Sequence, residues 1–282
     1  MLSIIILTFN SIKYIKPCLD SLFYQDYKDF EAIIVDNSSK DGTVALVKRD
    51  YPEVNLIENP KNFGACRARN QAIEASCGEW ILSLDCDVTL EKTFLQKVSE
   101  VIKDLPPEIG ILQPKILKPD GKRVYSCGIH LSRLRRFYDL GKGERDNGQF
   151  KDTKRIFGAC SAAAIYNRKM LQEIRENTGY FDERFFFLVE DVDLAWRAQR
   201  RGWKAIFCPQ PVCYHTGNSS NTDRQLRQYL CFRNRYFMIK KNECLIGKLK
   251  LFILSFWYEV FRFFYLVFTN RYMSRSLKEI MK

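Results

Sequence analysis

The sequence predicts an α/β protein, a mostly parallel, doubly wound sheet flanked by helices and followed by a basic helical extension. Three observations carry this. From residue 2 to about residue 90, short runs rich in Ile, Leu and Val alternate with helix-spaced segments, the pattern of successive βα units. Polar turns close these runs, and candidate ligand-binding residues recur there, on what becomes the carboxyl edge of a parallel sheet. The charge is also lopsided. The 282 residues carry a formal net charge of +12, and Arg224 to Lys282 holds thirteen Lys/Arg against three Asp/Glu, a net of +10.

Residues 2–7 read as the first strand, with Thr8-Phe9-Asn10 at its carboxyl end. Ile12, Ile15, Leu19 and Leu22 share one face of a helix from Ile12 to Phe23. Phe30 to Val35 is the second strand, and Asp36-Asn-Ser-Ser39 opens the loop into a helix from Thr43 to Arg49. Val54 to Ile57 is the third strand; Asn62-Phe-Gly-Ala65 then opens a helix carrying Arg67, Arg69 and Asn70, with Ala68, Ala72 and Ile73 inward. Ile81-Leu-Ser-Leu-Asp-Cys-Asp-Val88 is a buried parallel strand running into two aspartates. Strand side chains repeat every two residues, so Asp85 and Asp87 can point to one side. Such a pair suits a hard divalent ion, Mg2+ or Mn2+. The alternative is that they cap a helix beginning near Leu90.

Beyond residue 90 the alternation breaks down. Glu91 to Lys103 reads as a helix, Ile109 to Leu112 as a strand, and Pro114 to Ile129 as a hairpin around Pro119-Asp-Gly121. Residues 131–155 are charged and irregular, with Arg133, Arg135 and Arg136 clustered; they are a lid or a solvated loop. Gly158 to Ile165 is small and apolar, which suits either close approach to a substrate or tight core packing. Glu190-Asp-Val-Asp193 begins a helix running to about Arg201, where carboxylates complement the helix dipole. Asp193 is best explained by an i, i+4 pair with Arg197. Lys204 to Cys208 and Val212 to Tyr214 are short strands; His215 follows, at the edge of a flexible Thr216–Ser220 loop.

Composition narrows the classes. The chain opens directly on a strand-like run, without the pattern of a signal peptide. Its ten cysteines lack Cys-x-x-Cys spacing and read as reduced, mostly buried thiols of a cytosolic protein. Two histidines exclude a His-rich metal site. No Gly-x-Gly-x-x-Gly or Walker loop is present. Arg224 to Lys241 and residues 245–270 read as two helices. The second is too aromatic for a nucleic-acid surface, and its basic flanks suit an anionic membrane. Glu259 and Arg262 in its middle disfavour a full span. An in-plane helix is preferred, dimerisation through it comes second and a transmembrane helix third.

The ordered series Thr8–Asn10, Val35-Asp-Asn-Ser-Ser-Lys-Asp-Gly-Thr43, Asn62-Phe-Gly64, Asp85-Cys-Asp87, Glu190-Asp191 and His215 resembles family-two glycosyltransferases. These are inverting, nucleotide-sugar-dependent enzymes with the Rossmann-like GT-A fold. Tyr180 to Arg197 is similar in particular to bacterial rhamnosyltransferase-like members. Leu7 stands where many members have proline, and Val88 where a third aspartate is frequent. The Gln-x-x-Arg-Trp signature of processive synthases is replaced by Phe232-Arg-Asn-Arg-Tyr236, which implies addition of a single sugar.

The resemblance implies a catalytic base at Asp191, with Glu190 orienting it or touching the acceptor. Thr8, Asn10, Asp36, Ser39, Arg69 and Asp85 would serve the nucleotide. Asp36 would accept the pyrimidine ring N–H, and Arg69 would lie near Asp36 or the diphosphate, or form a structural salt bridge. Asp87 and His215 would hold Mg2+ or Mn2+. The expected donor is a dTDP- or UDP-linked sugar, rhamnose among the candidates, and the acceptor a glycan or lipid-linked glycan, at the cytoplasmic face of the cell membrane. The expected organisation is a domain over 1–223, with a nucleotide-binding half to about 105 and an acceptor half after it, and a helical tail over 224–282. The competing readings are a sugar nucleotidyltransferase, which would want a Gly-rich loop after strand one, and a non-catalytic membrane or nucleic-acid module. One tension stands: a helix N-terminus lowers a carboxylate's pKa, which weakens Asp191 as a base unless burial offsets it.

Overall fold

The computed structural model describes residues 1–217 and 222–274. Its first half is the expected series: β1 (Leu2–Thr8), α1 (Ile12–Phe23), β2 (Phe30–Asp36), α2 (Thr43–Asp50), β3 (Asn55–Glu58), α3 (Ala65–Ala75) and β4 (Trp80–Asp85). β1 pairs in parallel with both β2 and β4, Thr8 opposite Asp36 and Leu7 opposite Asp85. Three polar strand ends are thereby level on one edge. Ile4 and Ile6 pack on the face covered by α1, whereas Ile5 joins Cys66, Ala68 and Ala72 of α3 on the other. This period-two division is why an uninterrupted apolar run is needed: both faces are covered. Each fully buried isoleucine contributes roughly 1.5–3 kcal/mol.

The second half holds β5 (Val88–Leu90), α4 (Phe94–Lys103), β6 (Ile109–Leu117), β7 (Val124–Ser126), β8 (Ile129–Leu131), β9 (Phe137–Asp139), β10 (Lys154–Ile156), β11 (Ala163–Asn167), α5 (Arg168–Ile174), α6 (Glu190–Arg200), β12 (Lys204–His215), α7 (Arg224–Asn242) and α8 (Leu245–Thr269). The strand order is β10-β12-β6-β11-β4-β1-β2-β3, with β5 added to β12 and β7 to β6. Within that order only β11 and β10 run against the rest. The sheet is therefore mixed but mostly parallel.

Several boundaries differ from expectation. The helix after the aspartates starts at Phe94, with Thr93 as its N-cap residue, and β5 intervenes; neither aspartate caps it. β6 continues through Pro114 to Leu117 rather than turning at Pro114. β11 pairs with β6 only at Ile111 and Leu112, so Pro114 needs no donor on that side. The two short strands before His215 are one twelve-residue strand, with a register shift between Cys208 and Val212 where Pro209 and Pro211 interrupt the ladder. Helix α5 had no expectation. Residues 131–155 contain β9 and β10, and β8–β9 is an antiparallel hairpin. The Thr216–Ser220 loop lies outside the described residues beyond Gly217, as does the basic end after Ser274.

All ten cysteines are free; six are buried, and Cys77 and Cys244 are exposed. The tail forms the two expected helices. α8 packs on α7 through Phe232, Phe263, Leu266 and Val267. Glu259 accepts from Arg235 Nη1 at 2.8 Å and Tyr236 Oη at 2.7 Å, with Arg262 further off at 3.8 Å. α7, more than Arg262, compensates the carboxylate within the apolar helix. The outer face is bare: Trp257 is 69% exposed, Phe261 70% and Phe268 83%. At 25 residues, α8 is long and apolar enough to cross a membrane by length and composition.

Candidate active site

The first acidic corner follows from topology. After Asp85 the chain crosses to β12, where Val88 pairs with His215 and the Thr216 amide donates to the Asp87 carbonyl at 3.1 Å. His215 Nε2 then lies 3.1 Å from Asp87 Oδ1 and 3.9 Å from Asp85 Oδ2. One ligand atom from each of the three residues lies within 4.8 Å of the others. Tyr125 of β7 packs against the imidazole, centroids 4.2 Å apart. Burial pulls the His215 pKa down, but the hydrogen bond with Asp87 and the charges of both aspartates outweigh it and leave it raised. Enclosure raises the Asp85 pKa, opposed by Arg69 and His215. Two carboxylates and the imidazole thus converge on one point. Oxygen ligands with one imidazole fit a small divalent cation.

The second corner is the start of α6. Asp191 Oδ1 accepts from the Val192 amide at 2.8 Å and Oδ2 from the Ser161 amide at 3.4 Å. Burial, then the charges of Glu190 and Asp139, push its pKa up to about 7. Burial therefore wins over the helix terminus, and the lowering expected from the sequence is offset. Glu190 is buried and accepts from Arg69 Nη1 at 2.6 Å through Oε1; its Oε2 has no hydrogen-bond partner among the described residues. Asp193 turns the other way, onto Arg197 Nε at 2.8 Å and Asn242 Nδ2 at 2.7 Å, the structural pairing expected of it.

Arg69 joins the two corners. Besides Glu190 it reaches Asp85 Oδ1 at 3.4 Å and Ser83 Oγ at 3.2 Å. It does not lie beside Asp36, because α3 aims it inward beneath the strand ends. Asp36 is buried and accepts from Thr8 Oγ1 at 2.7 Å, the Ser39 amide at 2.7 Å and Ser39 Oγ. A carboxylate offers about four lone-pair sites, so one more donor can be accommodated. Asn10, at φ 51°, donates its amide to Ser39 Oγ at 2.8 Å and accepts from the Lys40 amide.

A cleft of about 790 Å³ is lined by Thr8, Arg69, Asp85, Asp87, Glu190, Asp191 and His215 but not by Asn10, Asp36 or Ser39. Asn10, Asp36 and Ser39 form the hydrogen-bonded cluster behind Thr8. The sequence reading missed Tyr125, Asp139 and Lys142, which line the cleft from the second half of the chain, and the Ser161 amide. Phe137 to Asp139 and Lys142 come from the candidate lid, which is thus part of the wall. Cys160 to Ala162 line the cleft, and Ala162 to Ile165 are packed in the core. Gly64 is explained by its neighbour. At φ 85° and ψ 169° it adopts a nearly glycine-only conformation, and a Cβ there would sit 2.5 Å from the Phe186 ring.

Residues 3–175 match the family model described as "Glycosyl transferase family 2". The N-acetylglucosaminyl-diphospho-decaprenol L-rhamnosyltransferase of Mycobacterium tuberculosis is 26% identical over 247 residues, 79% of this chain and 78% of that one. The structure resembles that of S. aureus TarS residues 1–349 in complex with UDP, with a TM-score of 0.58 and 20% identity over 86% of this chain and 66% of that one. It also resembles GalNAc-T7 with UDP, GalNAc and Mn2+, with a TM-score of 0.63 and 14% identity over 85% of this chain and 47% of that one. At these identities the two structures speak for a shared GT-A fold.

Proposed function

The chain belongs to glycosyl transferase family 2 and is a glycosyltransferase; from that premise we propose inverting, metal-dependent transfer of a single sugar from a dTDP- or UDP-linked donor to a hydroxyl of a glycan or lipid-linked glycan. The observation that carries this is one cleft lined by an Asp-Asp-His cluster that could hold a cation and, across the Arg69 bridge, a carboxylate pushed up to about 7. Rhamnose is the first sugar to test, given the name of the mycobacterial relative.

Asp191 takes the proton of the acceptor hydroxyl as its oxygen attacks C1 from the face opposite the leaving group. The C1–O bond to the diphosphate breaks, and its electron pair leaves with the nucleoside diphosphate. The Ser161 amide orients the base, and a carboxylate with a pKa near ambient pH is tuned for such transfer. Glu190 and Asp85 are held in place by Arg69. Asp36, oriented by Thr8 and Ser39 beside Asn10, accepts the N3–H of uracil or thymine. Asp85, Asp87 and His215 would hold Mg2+ or Mn2+, which when bound would supply Lewis-acid stabilisation of the developing diphosphate charge. Residues to about 105 serve the donor, residues 106–223 the acceptor, and the 224–282 tail the surface on which a lipid-linked acceptor resides. The test is a panel of nucleotide sugars with Mg2+ or Mn2+. Release of UDP or dTDP from one donor is expected; no turnover together with no thermal shift from UDP or dTDP plus Mn2+ would overturn the reading.

The bare face of α8, flanked by Lys248, Lys250 and Arg271, fits an anionic membrane in which the helix lies in-plane at the cytoplasmic surface. The protein is expected to float with anionic liposomes, and a Trp257→Ser/Phe261→Ser variant to remain below. Wild-type protein that stays below, or that forms a dimer lost in this variant, would assign the face to a second copy instead.

A further inference from the structure

We propose that Asn234 of α7 is a positioning residue for Asp191, acting through the left-handed turn that precedes α6. The inference rests on Asp191 as the base. Phe186, Leu188 and Val189 have φ of 65°, 70° and 73°, a conformation that bulky L-residues avoid and that persists only where the surroundings enforce it. Asn234, fully buried, supplies that enforcement. Its Nδ2 faces the carbonyls of Phe185, Phe187 and Leu188 at 3.0, 2.8 and 2.8 Å, its two hydrogens serving three acceptors with one N–H shared. Arg233 Nε donates to Asn234 Oδ1 at 3.0 Å, which orients the amide, and its Nη2 reaches the carbonyls of Arg184 and Phe185 at 3.1 Å. From the opposite side, the Ala65 and Cys66 amides donate to the Phe186 carbonyl at 2.7 and 3.3 Å. The turn is pinned between the amino end of α3 and one amide of α7.

The geometry at Asp191 depends on this turn. Val189 immediately precedes Glu190, so its left-handed backbone sets the direction in which α6 leaves the cleft wall. The contact between Asp191 Oδ2 and the Ser161 amide is already 3.4 Å, so a small shift of the helix start breaks it. Asn242 provides the comparison. It is a second buried amide on α7, but it donates to Asp193 Oδ1 and the Met238 carbonyl and does not touch the turn.

The test uses the full chain with Asn234→Ala and Asn242→Ala. The readouts are kcat and KM on the donor found active, affinity for UDP with Mn2+, and the Asp191 titration followed by ¹³C-carboxyl NMR. Asn234→Ala is expected to lower kcat by about 10²-fold, with KM and UDP affinity unchanged and the Asp191 midpoint moving further up, because the Ser161 amide whose contact is lost favours the carboxylate. Asn242→Ala is expected to keep both kcat and midpoint. Equal losses in the two variants, or wild-type kcat and midpoint in Asn234→Ala, would overturn the proposal. If the alanine variant does not fold, Asn234→Ser, which keeps one donor, is read in the same way. If wild-type protein turns over no donor, the functional reading fails, and the titration alone decides whether the amide positions Asp191.

Discussion

Asp191→Asn is expected to lower kcat by about 10²–10⁴-fold while leaving the affinity for UDP with Mn2+ intact. The amide keeps the size, and its one carbonyl oxygen can still accept from the Val192 amide, the shorter of the two contacts, while the NH2 group faces Ser161; the group can no longer take a proton. In the wild type, log kcat should rise with pH and level off above about 7, where Asp191 is ionised. Stability should run the other way. The folded-state pKa is raised from 3.8, so between those values the native state holds more protons than the unfolded chain. The stability this contributes is complete below the unfolded value and is lost as pH rises through about 7. At pH 8 Asp191→Asn should therefore melt at a higher temperature than the wild type while turning over far less donor. A variant that loses activity and stability together would make Asp191 a structural carboxylate.

Asp87→Asn should produce the second large effect, a fall in turnover of roughly 10²–10³-fold, as expected from losing several kcal/mol of cation stabilisation. Asp87 is buried and shares a hydrogen bond with His215, and asparagine retains the shape but removes the charge. The added thermal shift that Mn2+ gives with UDP should disappear, and EDTA should reduce the wild type to the level of the variant. Full turnover by the wild type in EDTA would sink the cation site, whatever the fate of the variant.

Much of the donor half was legible in the chain. β1 to β4 and their helices follow from apolar periodicity, because strands covered on both faces must be continuously apolar and their helices must bury one stripe. Thr8, Asp36 and Asp85 stood out for the same reason: each ends a strand at the edge where a parallel sheet opens. The acceptor half was less legible. β5 and β7 to β10 have only three residues each and carry no period that a sequence can display. α5 was missed outright. Tyr125 gave no signal because its partner, His215, is 90 residues away, and Ser161 contributes only its backbone amide.

By itself the sequence determined the βα order, the two acidic clusters, the histidine and the bare aromatic helix, because local pattern and side-chain chemistry are properties of short stretches. Only the tertiary structure decided what those groups do to one another. Arg69 spans Asp85 and Glu190 rather than meeting Asp36, Asp191 is pushed up to about 7 despite its helix terminus, and Asn234 reaches back to the turn before it. Burial and distance set these outcomes, and both depend on which remote segments pack together.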